Sequence, residues 1–358
     1  MKIHRDFPGG NIQVLNRSGD RVELAPELRD TEGEWCYWAF CAEGAQGGTV
    51  TFDFGERDYI GYFGPAVSRD LSSWSWACPD EAGDRTRSQF TYTFGPADAA
   101  VYFAHNLLYQ PPRFADFAKR HSLHVRPLTR SPGGRNVDIV EFGRGDRVIL
   151  LTARHHCCES TGSYVLEGVL EELLKEPPKG YAVAAVPFVD IDGVVSGDQG
   201  KNRMPHDHGR DYSANPLYPA PAAIMDYIRN HDAAFAFDFH SPWHAGGPND
   251  TAFIVRSRDD HVGRYEEFGA LLERETAGCP DAFRYYSHDD IDNNIDWNVD
   301  GDPALARYMH QFSRTELSMC FETAYFGTGQ NPVSEIRLLN LGRCFARCIR
   351  QYAYRGCR

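Results

Sequence analysis

What the chain lacks narrows its role first. No segment approaches the roughly 20 consecutive apolar residues that a membrane-crossing helix requires. The opening Met1-Lys-Ile-His-Arg-Asp-Phe-Pro has no apolar stretch of the secretory kind. The expected compartment is therefore the cytoplasm. Basic charge is scarce too: 37 Lys and Arg stand against 50 Asp and Glu, a formal net charge of −13. A surface of that sign repels nucleic acid and anionic lipid, so neither is expected as a partner. No internal repeat and no low-complexity tract breaks the chain. Its ten cysteines are irregularly spaced, which in 358 residues suits reduced core thiols better than a disulfide framework.

What is present is ample apolar material, 42% of the residues, enough for two domains or one large one. Up to about residue 110, short alternating stretches such as Gly48-Thr-Val-Thr-Phe-Asp-Phe and Phe90-Thr-Tyr-Thr-Phe lie between Gly, Asp and Ser turns. They read as a small β-sandwich over 1–110. Gln110-Pro111-Pro112 marks the boundary, because two prolines cannot continue a central strand and Pro112 can open the helix 113–121. Over 111–358 strands and helices alternate, which predicts a mixed α/β sheet flanked by helices on both faces. Expected strands are 147–152, 181–189, 233–239, 251–255 and 317–322; expected helices are 163–175, 221–230, 261–276 and 333–354. Long loops remain at 190–217 and 282–302, the second crowded with aspartates from Asp289 to Asp302 and expected to be solvated rather than ion-binding.

Three of these strands end in chemistry. The first runs from Arg147 into a loop holding His156 and Glu159, three positions apart. The second, Ala234-Phe-Ala-Phe-Asp-Phe-His240, ends in a histidine, and the third, Leu317-Ser-Met-Cys-Phe-Glu322, carries one glutamate in an apolar run. A carboxylate in such a run needs a reason to be there. Together they suggest a His156/Glu159/His240 zinc site that leaves one position open for water, with Glu322 free beside it. Cys157 and Cys158 flank the ligands, but adjacent thiols cannot easily share one ion and the ligand set is complete without them.

The order of these motifs, together with Gly209-Arg210-Asp211 and Phe321-Glu322-Thr-Ala, resembles the zinc metallocarboxypeptidase superfamily, in particular its cytosolic carboxypeptidase branch. Asp6-Phe7-Pro8-Gly9-Gly10-Asn11, Trp35-Cys-Tyr-Trp-Ala-Phe40 and Ala100-Val-Tyr-Phe-Ala104 resemble the β-domain that precedes the catalytic domain there. The resemblance implies a zinc metallopeptidase of carboxypeptidase type, with Glu322 as general base and Arg203 as the cation that steadies the tetrahedral oxyanion. It implies further that Asn202, Arg203 and Arg210 bind substrate and that Asp211 hydrogen-bonds the first histidine ligand, with Asp238 a weaker candidate for that task. It also implies a cis Ser241–Pro242 bond after the last ligand. The expected partner is a peptide or small amide, by resemblance an acidic one.

One departure qualifies that picture. Where the family's Gly-Arg-Asp is followed by x-Asn-Arg, whose guanidinium grips the substrate carboxylate, this chain has Tyr212-Ser213-Ala214. Ser and Ala cannot replace a bidentate clamp. Lys201, His206, His208 or Arg210 from the same loop are the residues available to take its place. A deacylase of small N-acyl amino acids, which needs no such grip, is the second enzyme reading; a non-catalytic metal-containing binding protein is the third.

Overall fold

The structure is a computed structural model, and it describes residues 1–355 apart from Asp80, Glu81, Ala82 and Asp84. Residues 2–104 form two small sheets. One has five strands, Lys2–His4, Ala39–Glu43, Ala100–Ala104, Ala66–Ser68 and Ser75–Trp76 in spatial order; the other has four, Gln13–Ser18, Arg21–Ala25, Thr49–Asp53 and Gln89–Thr93. Alternation along the strands explains how they stack. Phe40 and Phe103 of the first sheet meet Phe52 and Phe90 of the second, with ring centroids 4.9 to 5.4 Å apart, and form a separate aromatic core. Their neighbours Ala39 and Ala104 face the other way and join the main core of the molecule. The five-stranded sheet is thus buried on both faces, which fastens the sandwich to the rest of the chain.

Beyond the helix Pro111–Arg120 comes a seven-stranded sheet. Its spatial order is Val125–Arg130, Asn136–Gly143, Tyr181–Val186, Arg147–Ala153, Asp232–His240, Leu317–Thr323, Ala252–Val255. The four strands from Tyr181–Val186 to Leu317–Thr323 run parallel, and the outer ones are antiparallel. Parallel strands covered on both faces read as continuous apolar runs, and Arg147–Ala153 and Asp232–His240 do so. The sequence reading passed over the hairpin 125–143. Pro127 disguises its first strand, and that strand tolerates a proline because it lies at the edge of the sheet. Flanking helices include Ser160–Lys175, Pro219–Asn230, Val262–Ala277 and Glu335–Arg355. The first and last of these touch backbone to backbone: a Cβ on Gly168 would sit 2.1 Å from the Leu339 carbonyl oxygen. Phe345 of the last helix packs on Phe237, Phe239 and Phe321, and so seats it against the strands that carry His240 and Glu322.

Among the described residues no helix is long and apolar enough to cross a membrane. Cys36, Cys157, Cys158, Cys320, Cys344 and Cys348 are free thiols. The expected cis Ser241–Pro242 bond is corrected: among the described residues the cis bond is Met204–Pro205. The loop expected at 190–217 begins with a short helix, Ile191–Ser196, capped by the Asp190 side chain.

Candidate active site

All the candidate ligands leave the carboxyl ends of parallel strands, where open α/β sheets place their sites. After Arg147–Ala153 the chain turns sharply at Arg154, whose φ is +64°. Its buried guanidinium donates to the carbonyls of Cys157 (2.8 Å) and Tyr109 (2.7 Å), bracing the loop that presents His156. Glu159 is the residue before the helix Ser160–Lys175, so the positive end of the helix dipole lies at its backbone. His240 ends its strand, and in the parallel register its partner is Glu322.

These side chains meet. His156 Nδ1 lies 2.8 Å from Glu159 Oε1, and His240 Nδ1 lies 2.8 Å from Glu159 Oε2. One donor atom from each of the three falls within 4.8 Å of the others, and all three residues are buried. Burial acts to raise the Glu159 carboxyl, yet Lys201 and the two imidazoles hold it well below the ordinary carboxylate range. Burial likewise acts to lower His240, yet Asp238 and Glu159 hold it well above its usual value. A buried group that keeps a carboxylate ionised and draws positive charge onto its imidazoles is one that suits a divalent cation. Two nitrogens and one oxygen match zinc by donor type. Glu322 is buried with them; its Oε1 lies 3.4 Å from Cys320 Sγ and its Oε2 has no hydrogen-bond partner. Burial, the largest influence on it, raises its carboxyl, so it holds a proton more readily than a solvated glutamate.

The hydrogen bonds around the ligands differ from expectation. Asp211, expected on the first histidine, instead accepts from His206 Nε2 (2.6 Å) and from the N–H groups of Leu217 and Tyr218 (2.8 and 2.7 Å). It shapes the loop rather than the ligand. Asp207 Oδ1, at 3.4 Å, is the carboxylate oxygen facing His156 Nε2. A Cβ on Gly209 would come within 2.9 Å of that same nitrogen, so any larger residue there would push on the imidazole. On the second histidine Asp238 does the work: Oδ2 accepts from His240 Nε2 at 2.8 Å, while Oδ1 accepts from Thr152 Oγ1 (2.7 Å) and His155 Nδ1 (2.8 Å). His155 Nε2 in turn accepts from the Tyr212 hydroxyl at 2.6 Å. The signal for Asp238 was in the sequence, since residues two apart on a strand share a face.

Arg203, expected as the oxyanion cation, is placed elsewhere. Its guanidinium is clasped by three carboxylates, Asp190 (2.6 Å), Asp30 (3.1 Å) and Asp198 (3.2 Å). Asn202 Nδ2 donates to the Glu32 carbonyl at 2.7 Å, turned toward the sandwich and away from the ligands. The cation that reaches the cluster is Lys201, which sequence reasoning considered only as a stand-in for the missing clamp. Its Nζ lies 2.7 Å from Glu159 Oε1 and donates to the carbonyls of Ser241 and Pro242 at 3.1 and 3.0 Å. Burial, the largest single influence, acts to lower this ammonium; Glu159, Cys158 and Glu322 together outweigh it and keep it charged. Arg210 does line the cavity that opens beside His156, His240 and Glu322, with its Nε 2.7 Å from Asp302. Trp297 and Arg307, from the far side of the acidic loop, line the same cavity. Ala214, at the position of the family's arginine, is exposed.

No family model matches the chain. It is 24% identical over 257 residues to an uncharacterized protein of Zymomonas mobilis, covering 67% of this chain and 66% of that protein. It is 26% identical over 227 residues to cytosolic carboxypeptidase 2 of Xenopus tropicalis, covering 55% of this chain and 23% of the frog protein. The chain thus spans less than two thirds of the length of the curated relatives it matches. Among solved structures, the metallo-carboxypeptidase of Pseudomonas aeruginosa, determined with (2-guanidinoethylmercapto)succinic acid, superposes with a TM-score of 0.77 at 19% identity over 98% of both chains. At that identity the likeness speaks to the fold. The chain has the fold seen in metallo-carboxypeptidases, and in sequence it is similar to the cytosolic carboxypeptidases.

Proposed function

We propose that the chain is a zinc-dependent hydrolase of carboxypeptidase type that cleaves a peptide or amide bond, with His156, Glu159 and His240 holding the metal. The observation that carries this reading is the unpartnered Oε2 of buried Glu322, at the strand position paired with His240. A buried acceptor without a donor costs about 1–3 kcal/mol, more when charged. It is retained where something must come to it. The chemistry zinc supplies when held by three protein donors is polarisation of the scissile carbonyl and acidification of water. Glu322 accepts the proton of the attacking water and returns it to the amine as the C–N bond breaks, a transfer its raised affinity for a proton favours. Lys201 keeps Glu159 anionic, and Asp238 holds His240 with Nδ1 facing Glu159, where the two would hold the metal together.

Residues 1–110 act as a separate β-domain that clasps the loop bearing Lys201, and 111–358 as the catalytic domain. Arg210, on the cavity wall, is the residue that meets a carboxylate of the substrate in place of the lost arginine. The exposed Ala214 favours substrates that need no bidentate grip on a peptide end, including N-acyl amino acids. Likeness to cytosolic carboxypeptidases supports a cytoplasmic setting.

The test is metal content of the purified protein followed by release of amino acids from acidic, basic and apolar peptides and from N-acyl amino acids. Glu322→Gln should leave metal content unchanged and lower turnover by about 10²- to 10⁴-fold. Unaltered turnover would remove Glu322 from the chemistry, and a protein without metal affinity would overturn the reading.

A further inference from the structure

A second group of donors, outside the proposed catalytic chemistry, lies where the sandwich meets the catalytic sheet. Cys36 precedes the strand Ala39–Glu43, His105 follows Ala100–Ala104, and His244 lies just beyond His240. They come from three distant segments, all are buried, and their donor atoms fall within 4.8 Å of one another. His105 Nε2 and His244 Nδ1 are 2.8 Å apart, the same close approach that His156 and His240 make to Glu159.

The hydrogen bonds behind the two imidazoles decide what that approach means. His244 Nε2–H donates to the Asp58 carbonyl at 2.7 Å, which fixes the tautomer and leaves the Nδ1 lone pair facing His105. On the far side of His105, Nδ1 lies 3.2 Å from the amide nitrogen of Asn106, a residue with no exposed surface, while Asn106 Oδ1 has no partner at all. Which amide atom is oxygen is fixed by the bonds it makes. Without a cation, Asn106 Nδ2–H donates to His105 Nδ1 and His105 Nε2–H donates to His244 Nδ1; turning the amide lets Oδ1 accept from His105 Nδ1–H instead, gives up the 3.5 Å contact to the Cys158 carbonyl, and moves the unpartnered position from the amide oxygen to its nitrogen. His105 Nε2 then carries a lone pair as well. With the amide turned that way, two lone pairs and a sulfur face one another, an arrangement that suits a cation.

We propose that Cys36, His105 and His244 form a second metal site, for zinc or a similarly thiolate-binding d-block ion, that staples the sandwich to the catalytic sheet. One thiolate and two neutral imidazoles are the donors such ions select. Burial keeps both histidines neutral, with His244 lowered to about 4. Lys201 lies close enough to favour the Cys36 thiolate, although burial, the larger influence, opposes it. Binding releases one proton, from Cys36 Sγ, while the His105 proton moves from Nε2 to Nδ1. The two nitrogens need open only to about 3.3 Å to share one ion at ordinary Zn–N lengths.

The site is independent of the hydrolase reading, and cobalt(II) tells the two apart. Only a thiolate ligand gives a sulfur-to-cobalt charge-transfer band in the near ultraviolet; His156, Glu159 and His240 supply none. The full chain loaded with Co2+ should bind two equivalents and show that band. Cys36→Ser should bind one equivalent and lose the band. His244→Asn, a second variant against the chance that either misfolds, should also fall to one equivalent. Glu159→Gln should lose one equivalent and keep the band. A wild-type protein that binds one equivalent without the band, or a band that survives Cys36→Ser, would overturn the proposal.

Discussion

The strand ends and the 197–211 loop reach the same cluster by different physics. His240 and Glu322 stand at paired positions of two parallel strands, so the backbone ladder alone sets their separation. Lys201 has no such scaffold. Its loop is held from outside, by the Gln199 amide on the Tyr37 carbonyl (2.8 Å), by Asn11 Nδ2 on the Gly197 carbonyl (2.6 Å), and by Arg203 in its three-carboxylate clasp. Two cations two residues apart thus have opposite duties. Lys201 faces Glu159 and Arg203 anchors the loop. The comparison teaches what the sandwich contributes: it supplies Asp30 and the polar groups that position a cation the seven-stranded sheet cannot.

Removing each cation in turn is the severest way to break that comparison. Arg203→Met should be the most damaging, because it takes the guanidinium from Asp30 and Asp190 and leaves Asp198 with Arg29 alone. Uncompensated buried charge of this kind costs about 3–5 kcal/mol. Lys201→Met exposes Glu159 to the same penalty, but a metal on Glu159 would replace the lost charge. Denaturant unfolding with and without zinc separates the two. The loss from Lys201→Met should shrink when zinc is bound, whereas that from Arg203→Met should stay constant. Equal behaviour of the two variants would show that Lys201 is another structural cation.

The same contrast accounts for what could be read from the chain. Apolar runs ending in His156, Glu159, His240 and Glu322 were legible because a buried parallel strand has one appearance in sequence and its carboxyl end one place in the fold. Loop residues have neither. Nothing in Gly200-Lys-Asn-Arg203 says which cation turns inward, since that is decided by Asp30, 173 residues from Arg203 in sequence and across a packed interface. Asp211 and Asp207 lie in the same loop, four residues apart, and only the folded loop decides that Asp207 is the one to face His156. The hairpin 125–143 was missed because a proline argues against a central strand and says little about an edge.

A milder test stays within the strands. Asp238→Asn would place an amide where three donors now converge, from Thr152, His155 and His240. The His240 ring should lose its fixed tautomer, and zinc affinity should fall about 10- to 100-fold. Competition with a chromophoric chelator measures this directly. An unchanged affinity would mean that the strand register alone orients His240.

The smallest effect belongs at the end of the same chain of bonds. Tyr212→Phe removes the donor to His155 Nε2, two residues removed from the ligand His240. A buried imidazole nitrogen left without its partner should cost about 1 kcal/mol of stability. Asp238, however, keeps its bonds to Thr152, His155 and His240, so zinc affinity should fall less than 3-fold, well short of Asp238→Asn. If instead Tyr212→Phe weakened zinc as much as Asp238→Asn, Tyr212, His155, Asp238 and His240 would act as one coupled network. The tyrosine that stands beside the missing Ser213-Ala214 clamp would then belong to the metal centre rather than to the packing behind it.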